Sequence, residues 1–268
     1  MPVVELNGIR LSYQVTGLGE VVVLVMGTGS PGRVWQLHQV PALVAAGYQV
    51  ITVDNRGIPP SDECAGGMTI DDLVGDIAAL IEYLGNGPAR IVGTSLGSRI
   101  VQELALARPD LLLQAVMMAA HGRTDAVQST LSAGERALYD AGIELPPKYY
   151  AAITALLNLS PRTLNTHSTV QEWLEVFEFS GSRISAGVRA QLALEDFADR
   201  LPAYRRITVP SLVIGFAEDL MTPPYLAREV AEAIPEARYE EIDGCGHFGY
   251  LERPAEVNKL LVKFFAST

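Results

Sequence analysis

The sequence predicts an α/β fold in which a mainly parallel sheet of eight strands carries helices on both faces. Short apolar runs alternate along the chain with segments whose apolar residues recur at helical spacing. Strands that alternate with helices join by right-handed crossovers, which gives a parallel sheet covered on both sides. The alternation stops between residues 122 and 206 and then resumes, which indicates a helical insertion. At 268 residues the chain is long enough for one such domain.

A hairpin and a continuous apolar run predict the first three strands. Residues 3–6 and 9–15 flank Asn7-Gly8, which is the strongest short-range signal for a tight turn between antiparallel strands. Residues 21–26 are uniformly apolar, as expected of a strand that is buried on both faces of a sheet. The sheet is therefore expected to begin with an antiparallel pair and to continue with a buried strand.

The middle of the chain alternates between helices and buried strands. Thr69 and Asp72 resemble a capping box, after which apolar residues recur at helical spacing as far as Gly85. The other elements predicted in this part are helices at residues 34–46 and 96–108 and strands at residues 49–53, 89–92 and 115–119. This order is the one expected of a parallel sheet.

The last quarter of the chain returns to the same pattern after the insertion. We predict strands at residues 212–215 and 238–242 and helices at residues 225–234 and 255–265. In the insertion, only helical spacing is visible, as in Tyr149, Ile153 and Leu156. The prediction is thus an α/β core formed by residues 1–121 and 207–268, with a helical cap formed by residues 122–206.

Charge and composition exclude several classes of partner. The net charge of −11 argues against nucleic acid and anionic membranes, since either would require a basic patch. The apolar runs are too short to span a bilayer, and the first residues lack the pattern of a signal peptide, so we expect a cytoplasmic protein. Cys64 and Cys245 form no metal-binding or disulfide pattern, and we expect both to be ordinary reduced thiols.

The main chemical signal is Gly93-Thr94-Ser95-Leu96-Gly97, which lies between a predicted strand and a predicted helix. An abrupt strand-to-helix turn holds its central residue in a strained conformation, and the glycines avoid collisions that larger side chains would cause. Such a turn would present the Ser95 hydroxyl at the edge of the sheet. The alternative is a glycine-rich turn without chemistry.

A serine nucleophile needs a base, and the base needs a carboxylate that orients it. Of the four histidines, His247 is favoured because it follows the last predicted strand in a loop of small residues, from which it can reach the edge of the sheet. Asp219, which follows the seventh predicted strand, is favoured as the carboxylate. Glu218 is its close competitor, and Asp243 is a weaker one.

These segments together resemble the α/β-hydrolase superfamily over essentially the whole chain. The matching segments are Gly27-Thr28-Gly29, Asp54-Asn55-Arg56-Gly57, the turn at Ser95, the loop of Asp219, and Gly246-His247-Phe248 with Glu252-Arg253-Pro254. The resemblance implies a triad of Ser95, Asp219 and His247, in the chain order that this superfamily uses. It also implies an oxyanion hole made by the backbone N–H groups of Thr28 and Leu96.

The sequence also departs from the superfamily pattern. Met26 occupies a position where many members have a histidine, and Ile58-Pro59-Pro60-Ser61 replaces a common Gly-x-Ser ending. The Met26 change leaves the backbone donor of this loop in place, because that donor does not depend on the side chain. Epoxide hydrolases and haloalkane dehalogenases are disfavoured because those relatives use an aspartate where this chain has Ser95.

Aromatic and histidine side chains near the predicted edge of the sheet could line a lipophilic pocket, although most such residues simply pack an insertion onto a sheet. The candidates are Trp35, His121, Tyr150, Trp173, Phe177 and Phe248.

The leading hypothesis is a serine hydrolase that cleaves a carboxylic ester or thioester of a lipophilic small molecule, without a metal or an organic cofactor. One alternative is a biosynthetic enzyme on the same scaffold that catalyses cyclisation, acyl transfer or C–C bond formation on a secondary metabolite. A cofactor-free perhydrolase belongs to the same set. The non-enzymatic alternative is a receptor that binds a small molecule.

Overall fold

The computed structural model describes residues 2–181, 184–195 and 197–267. Eight strands lie within these residues: β1 (Val3–Leu6), β2 (Ile9–Thr16), β3 (Glu20–Val25), β4 (Tyr48–Asp54), β5 (Ala89–Thr94), β6 (Leu112–Met118), β7 (Ser211–Phe216) and β8 (Arg238–Ile242). They form one sheet in the order β1-β2-β4-β3-β5-β6-β7-β8. Strand β2 is antiparallel to both β1 and β4, and the remaining neighbours are parallel. The predicted α/β sheet of eight strands is confirmed.

The helices that connect and cover the strands are α1 (Gln39–Ala45), α2 (Ile70–Leu84), α3 (Leu96–Ala107), α4 (Ala126–Asp140), α5 (Pro147–Asn158), α6 (Pro161–Leu164), α7 (His167–Ser180), α8 (Ala186–Leu192), α9 (Leu201–Tyr204), α10 (Pro224–Ala233), α11 (Gly249–Glu252) and α12 (Pro254–Phe265). Short 3₁₀ turns span Gly32–Leu37, Pro109–Leu111 and Ala193–Glu195. In the described part of the chain, none of these helices combines the length and the apolar character that a membrane crossing requires.

The hydrophobic core has one layer on each face of the sheet. In β3, Val21, Val23 and Val25 belong to one layer, and Val22 and Leu24 belong to the other, because successive side chains of a strand point to opposite faces. Helices α2, α3 and α10 cover the first layer, while α1 and α12 cover the second. This two-sided burial explains why the sequence of β3 is apolar throughout.

The first helical segment differs from the prediction of one helix over residues 34–46. A 3₁₀ turn ends at Leu37, and α1 begins at Gln39. Pro41 accounts for the break, because a proline inside a helix lacks the N–H that would bond to Leu37 and its ring would collide with that carbonyl. A helix that begins at Gln39 places Pro41 in the first turn, where backbone N–H groups have no helical acceptor.

The predicted capping box at the start of α2 is confirmed. The Thr69 hydroxyl accepts from the backbone N–H of Asp72, and the Asp72 carboxylate accepts from the backbone N–H of Thr69. These two bonds satisfy N–H groups that the first turn of a helix leaves unpaired.

Helices α4 to α9 all lie between β6 and β7, and the described residues of this segment contain no strand. The insertion is therefore helical where it can be described. Its status as a separate cap, bounded at residues 122 and 206, stays a prediction.

Candidate active site

Ser95 occupies a strained turn between β5 and α3. Its φ and ψ angles are 54° and −122°, in a region that residues with a side chain rarely adopt. A Cβ atom at Gly93 would lie 2.1 Å from the carbonyl oxygen of Gly97, and one at Gly97 would lie 2.2 Å from that of Val25. No side chain fits at either glycine without moving the backbone. The predicted strand, turn and helix with a strained serine at the centre are confirmed. The chemical role of Ser95 stays a prediction.

The turn lies at the carboxyl edge of the sheet, where the loops after β3, β5, β7 and β8 meet. The backbone N–H of Ser95 donates to Met118 at the end of β6, at 3.1 Å. A Cβ atom at Gly27 would lie 3.1 Å from the Cβ atom of Ser95. The loop after β3 therefore packs directly against the serine.

Asp219 and His247 form a buried pair at the same edge. Asp219 follows β7 and His247 follows β8, so the two residues extend from neighbouring parallel strands. The distance from His247 Nδ1 to Asp219 Oδ2 is 2.8 Å, and the exposed fractions of the two residues are 7% and 2%. The structure thus joins two of the three side chains that the sequence nominates for a triad.

Further donors fix the carboxylate of Asp219. The backbone N–H groups of Met221 and Thr222 each donate to Oδ1 at 2.8 Å, and the Thr222 hydroxyl donates to Oδ2 at 2.8 Å. Because Asp219 accepts at all these contacts, we assign the imidazole proton to Nδ1, which leaves Nε2 as an acceptor. This tautomer can take a proton from a hydroxyl. Asp243, the weaker alternative to Asp219, is exposed.

The two predicted oxyanion donors also come from this edge. Leu96 is the first residue of α3, so its backbone N–H has no acceptor within the helix. Thr28 lies in the loop Gly27-Thr28-Gly29, directly after the residue that packs on Ser95. Their role as an oxyanion hole stays a prediction.

The loop after β4 holds the loop after β3 in place. The Asn55 side chain donates to the carbonyl of Met26 at 2.9 Å, and Asp54 Oδ1 accepts from the backbone N–H of Gly32 at 2.8 Å. Arg56 makes two bonds of 2.6 Å to the buried Asp76, and these bonds raise the pKa of the guanidinium. The superfamily-like segment Asp54-Asn55-Arg56-Gly57 is therefore structural.

Three of the six candidate pocket residues come together beside His247. The ring centroids of Trp173 and Phe177 are 5.4 Å apart, and those of Phe177 and Phe248 are 6.2 Å apart. Phe248 in turn lies 6.1 Å from the ring of His247. An aromatic cluster thus connects α7 with the histidine loop.

The other three candidates are scattered. Trp35 is fully buried in the core, where its ring lies 5.0 Å from that of Tyr250. His121 is fully buried after β6, with its ring 5.5 Å from Phe197. Tyr150 is half-buried on α5. Contact with a ligand stays a prediction for all six.

Glu252 is a site residue whose role sequence reasoning missed. Its Oε2 atom accepts from the backbone N–H of Gly246, next to His247, at 2.6 Å. Its Oε1 atom accepts from the backbone and hydroxyl of Ser160 at 3.0 and 2.7 Å and from the Thr163 hydroxyl at 2.5 Å. Glu252 therefore ties the histidine loop to the α5–α6 junction. The sequence motif marked this residue, but no local signal identified its partners.

Gln191 on α8 is the second missed residue, and nothing in the sequence distinguished it from other helical positions. Its Oε1 atom accepts from the backbone N–H of Gly29 at 2.9 Å, and its Nε2 atom donates to the carbonyl of Arg56 at 2.9 Å. The insertion therefore also contacts the loop that carries Thr28.

Cys245 lies two residues before His247 but is not a reactive thiol. Its S–H donates to the carbonyl of Ile242 at 3.3 Å, and burial raises its pKa to about 12. A thiol with such a pKa stays neutral at physiological pH. Within the residues that the structure describes, no three His, Cys, Asp or Glu side chains are grouped as metal ligands would be.

Comparison with known proteins agrees with this architecture. The family model described as "Alpha/beta hydrolase family" matches residues 22–260. A Mycobacterium tuberculosis protein named "Putative non-heme bromoperoxidase BpoC" is 48% identical over 97% of this chain and 98% of its own length. Its crystal structure superposes with a TM-score of 0.93 over 96% of each chain.

Two further relatives carry other names. A pyrrolizixenacetamide deacetylase from Xenorhabdus hominickii is 27% identical over 98% of this chain and 97% of its own. The crystal structure of an enol-lactonase from Burkholderia xenovorans LB400 has a TM-score of 0.81 at 25% identity, over 99% of this chain and 100% of that one. The match of the family model over most of the chain and the 48% identity lead to one conclusion: this chain belongs to the alpha/beta hydrolase family.

Proposed function

We propose that the protein is a serine hydrolase that cleaves a carboxylic ester or thioester of a lipophilic small molecule. The observation that carries the proposal is the strained Ser95 turn at the same sheet edge as the buried Asp219–His247 pair. A hydroxyl at such a turn is exposed to a ligand, and an oriented imidazole is the base that a serine nucleophile needs.

In the proposed acylation step, Ser95 Oγ attacks the carbonyl carbon of the substrate while His247 Nε2 takes the hydroxyl proton. Asp219 holds the imidazole through Nδ1 and stabilises its positive charge. The C–O or C–S bond of the tetrahedral intermediate then breaks. His247 passes its proton to the departing alcohol or thiol, and the acyl group remains on Ser95.

The negative oxygen of the tetrahedral intermediate would be bound by the backbone N–H groups of Thr28 and Leu96. Loss of one such donor in a serine hydrolase typically lowers the rate on the order of 10²–10³-fold. The N-terminus of α3 adds a favourable field, because the dipole of a helix is positive at that end.

Deacylation repeats the chemistry with water as the nucleophile. His247 removes a proton from water, the resulting oxygen attacks the acyl carbon, and the proton returns to Ser95 Oγ as the acid leaves. The aromatic cluster of Trp173, Phe177 and Phe248 beside His247 supports a lipophilic substrate. The names of the deacetylase and lactonase relatives also fit acyl transfer to water.

The test is hydrolysis of p-nitrophenyl esters with acyl chains of two to eight carbons, with Ser95→Ala as the matched control. We expect wild-type activity that increases from acetate to longer chains, and a loss of about 10⁴-fold or more in Ser95→Ala, because no other group can form the acyl-enzyme. Equal activity of the two proteins would overturn the proposal. The thermal midpoint of Ser95→Ala shows whether its fold is intact.

A second candidate activity is perhydrolysis, which the bromoperoxidase name of the 48%-identical relative favours. In this reaction, Ser95 Oγ attacks the carbonyl carbon of a carboxylic acid such as acetic acid, the C–OH bond breaks and water leaves with the proton held by His247. Hydrogen peroxide then replaces water as the nucleophile at the acyl-enzyme. The peroxide oxygen attacks the acyl carbon, a peroxycarboxylic acid leaves, and the proton passes through His247 to Ser95 Oγ. The peroxy acid then oxidises bromide outside the site.

Bromination of monochlorodimedone in acetate buffer with bromide and hydrogen peroxide tests this second activity. Bromination that requires acetate and disappears in Ser95→Ala supports perhydrolysis. Bromination that persists in Ser95→Ala would contradict a route through Ser95, whatever the result with nitrophenyl esters.

A further inference from the structure

Helix α8 of the insertion packs against two loops at the edge of the sheet. A Cβ atom at Gly187 would lie 2.1 Å from the carbonyl oxygen of Gly57, so the two backbones are in direct contact. A Cβ atom at Gly29 would lie 3.6 Å from the side chain of Val188. The helix therefore lies directly on the loop that contains Thr28 and on the loop that contains Arg56.

Gln191 makes a polar connection between these two loops. The residue is fully buried, and its amide oxygen and nitrogen both have backbone partners, Gly29 N–H and the Arg56 carbonyl. The oxygen faces a donor and the nitrogen faces an acceptor, which fixes the orientation of the amide. A buried amide paired in this way is costly to replace, since its partners would lose their hydrogen bonds.

These bonds constrain the peptide group that carries the N–H of Thr28. On its amino-terminal side, the carbonyl of Met26 is held by Asn55 at 2.9 Å. On its carboxyl-terminal side, the N–H of Gly29 is held by Gln191 at 2.9 Å. The Gly27–Thr28 peptide lies between these two fixed groups. The peptide's own carbonyl, that of Gly27, accepts from the backbone N–H of Ser30 at 3.3 Å, a longer bond than the two flanking ones. The orientation of the peptide therefore depends on these three bonds, and one of them comes from the insertion.

We propose that Gln191 is a positioning residue for the Thr28 oxyanion donor, so that α8 of the insertion sets the geometry in which the tetrahedral intermediate is bound. The inference rests on the proposed hydrolase function. Gln191 does not contact the reacting atoms in this account. It acts through the peptide of Thr28, and its effect is on the transition state rather than on the binding of substrate.

The experiment uses Gln191→Met, which keeps the length of the side chain and removes both hydrogen bonds, with p-nitrophenyl butyrate as the substrate. We expect kcat to fall about tenfold to a hundredfold, because small misplacements of catalytic groups have effects of that size. We expect KM to change by less than about threefold, since ground-state binding does not use the oxyanion donors.

Phenylboronic acid provides a second readout that a purely structural role would not change. Its boron forms a tetrahedral anion with an active serine and so mimics the intermediate. Its inhibition constant is expected to rise in Gln191→Met by about the same factor as kcat falls, because both depend on binding in the transition-state geometry.

Gln114→Met is the matched control. Gln114 is another buried glutamine that bridges two elements, since it donates to the carbonyl of Phe264 and accepts from Arg90. It lies near the amino-terminal end of β6, which is the edge of the sheet opposite to the one that carries Ser95. We expect this variant to lower the thermal midpoint and to leave kcat within about twofold of the wild type.

A folded Gln191→Met with wild-type kcat, or with a kcat loss no larger than that of Gln114→Met, overturns the inference. If Gln191→Met does not fold, the same criteria apply to Gln191→Asn, which stays polar but is too short to span both partners. Failure of the hydrolase proposal would be seen separately. In that case, the wild type itself would show no activity that depends on Ser95.

Discussion

The two sides of the candidate site are both anchored by the helical insertion, but by different chemistry. On the oxyanion side, the neutral amide of Gln191 makes two hydrogen bonds and reaches Gly29 from 162 residues away in the chain. On the histidine side, the carboxylate of Glu252 accepts four hydrogen bonds and lies only six residues from Gly246.

This difference determines what each anchor contributes. Hydrogen bonds to a charged group are roughly twice as strong as neutral ones, so Glu252 should contribute more to stability. His247 is also held by Asp219 at 2.8 Å, which preserves its orientation if Glu252 is lost. On the oxyanion side, the corresponding local support is a longer backbone bond of 3.3 Å, from the N–H of Ser30 to the carbonyl of Gly27. Gln191 should therefore matter more for catalysis, and Glu252 more for stability.

The largest effect on activity is expected when the proposed base is replaced. His247→Ala removes the proposed base, and kcat/KM for p-nitrophenyl butyrate should fall about 10⁴–10⁶-fold, because the serine hydroxyl then has no proton acceptor. The measurement is steady-state kinetics, with thermal unfolding as a check on the fold. A loss of less than about tenfold would contradict the assignment of the base.

Replacement of the histidine-side anchor should mainly affect stability. In Glu252→Gln, the new NH₂ group faces a donor, either the N–H of Gly246 or the donors on Ser160. The free energy of unfolding should fall by about 1–3 kcal/mol, with a smaller loss of kcat than in Gln191→Met. Urea denaturation and esterase kinetics measure the two quantities. A kcat loss larger than that of Gln191→Met would reverse the comparison.

Glu256→Gln is the matched control for this substitution. Glu256 lies four residues beyond Glu252, is exposed on α12 and pairs with Arg253. Exposed ion pairs contribute little, so the control should change the free energy of unfolding by less than about 1 kcal/mol.

A double-mutant cycle sharpens the comparison further. If the two anchors act on separate loops, the effects of Gln191→Met and Glu252→Gln on the free energy of unfolding should add to within about 0.5 kcal/mol. Denaturation of the wild type, both single variants and the double variant gives the coupling. A coupling energy above about 1 kcal/mol would mean that the insertion couples the two loops, so that loss of one anchor changes the contribution of the other.

The smallest effect concerns the burial of the Cys245 thiol, which lies in the histidine loop. Burial raises the pKa of the Cys245 thiol to about 12, against about 8.5 for an exposed cysteine. The stabilisation that comes from keeping this thiol neutral is complete below about pH 8.5 and is lost as the pH rises toward 12.

Alkylation measures this burial directly. In a Cys64→Ser background, native protein at about pH 8 should not react with iodoacetamide, while urea-unfolded protein should react, since thiolate is the reactive form. Rapid labelling of the native protein would show that the histidine loop opens.

Local sequence predicted the parts of the fold and site that depend on local physics. The turn at Ser95 was predictable because two glycines at fixed spacing permit a close backbone approach that any side chain would block, and the capping box of α2 needs only Thr69 and Asp72. The segment 34–46 is helical as predicted, but it is divided at His38, because Pro41 is tolerated only in the first turn of a helix.

The parts that could not be predicted depend on contacts between distant segments. Nothing near Gln191 in the sequence indicates that its amide meets Gly29, because that contact exists only once α8 lies over the sheet edge. Glu252 stood in a motif, yet its partners Ser160 and Thr163 belong to the insertion. The aromatic set was predicted as a group, but only the tertiary structure separates Trp35 in the core from Trp173 beside Phe248.

Labelling with a fluorophosphonate tests the central claim most directly, because this reagent forms a covalent bond only with a serine whose hydroxyl is activated. We expect stoichiometric labelling of the wild type at Ser95, slower labelling of His247→Ala and none of Ser95→Ala, as read by intact-protein and peptide mass spectrometry. A folded wild-type protein that takes up no label, or takes it up at another residue, would contradict that claim.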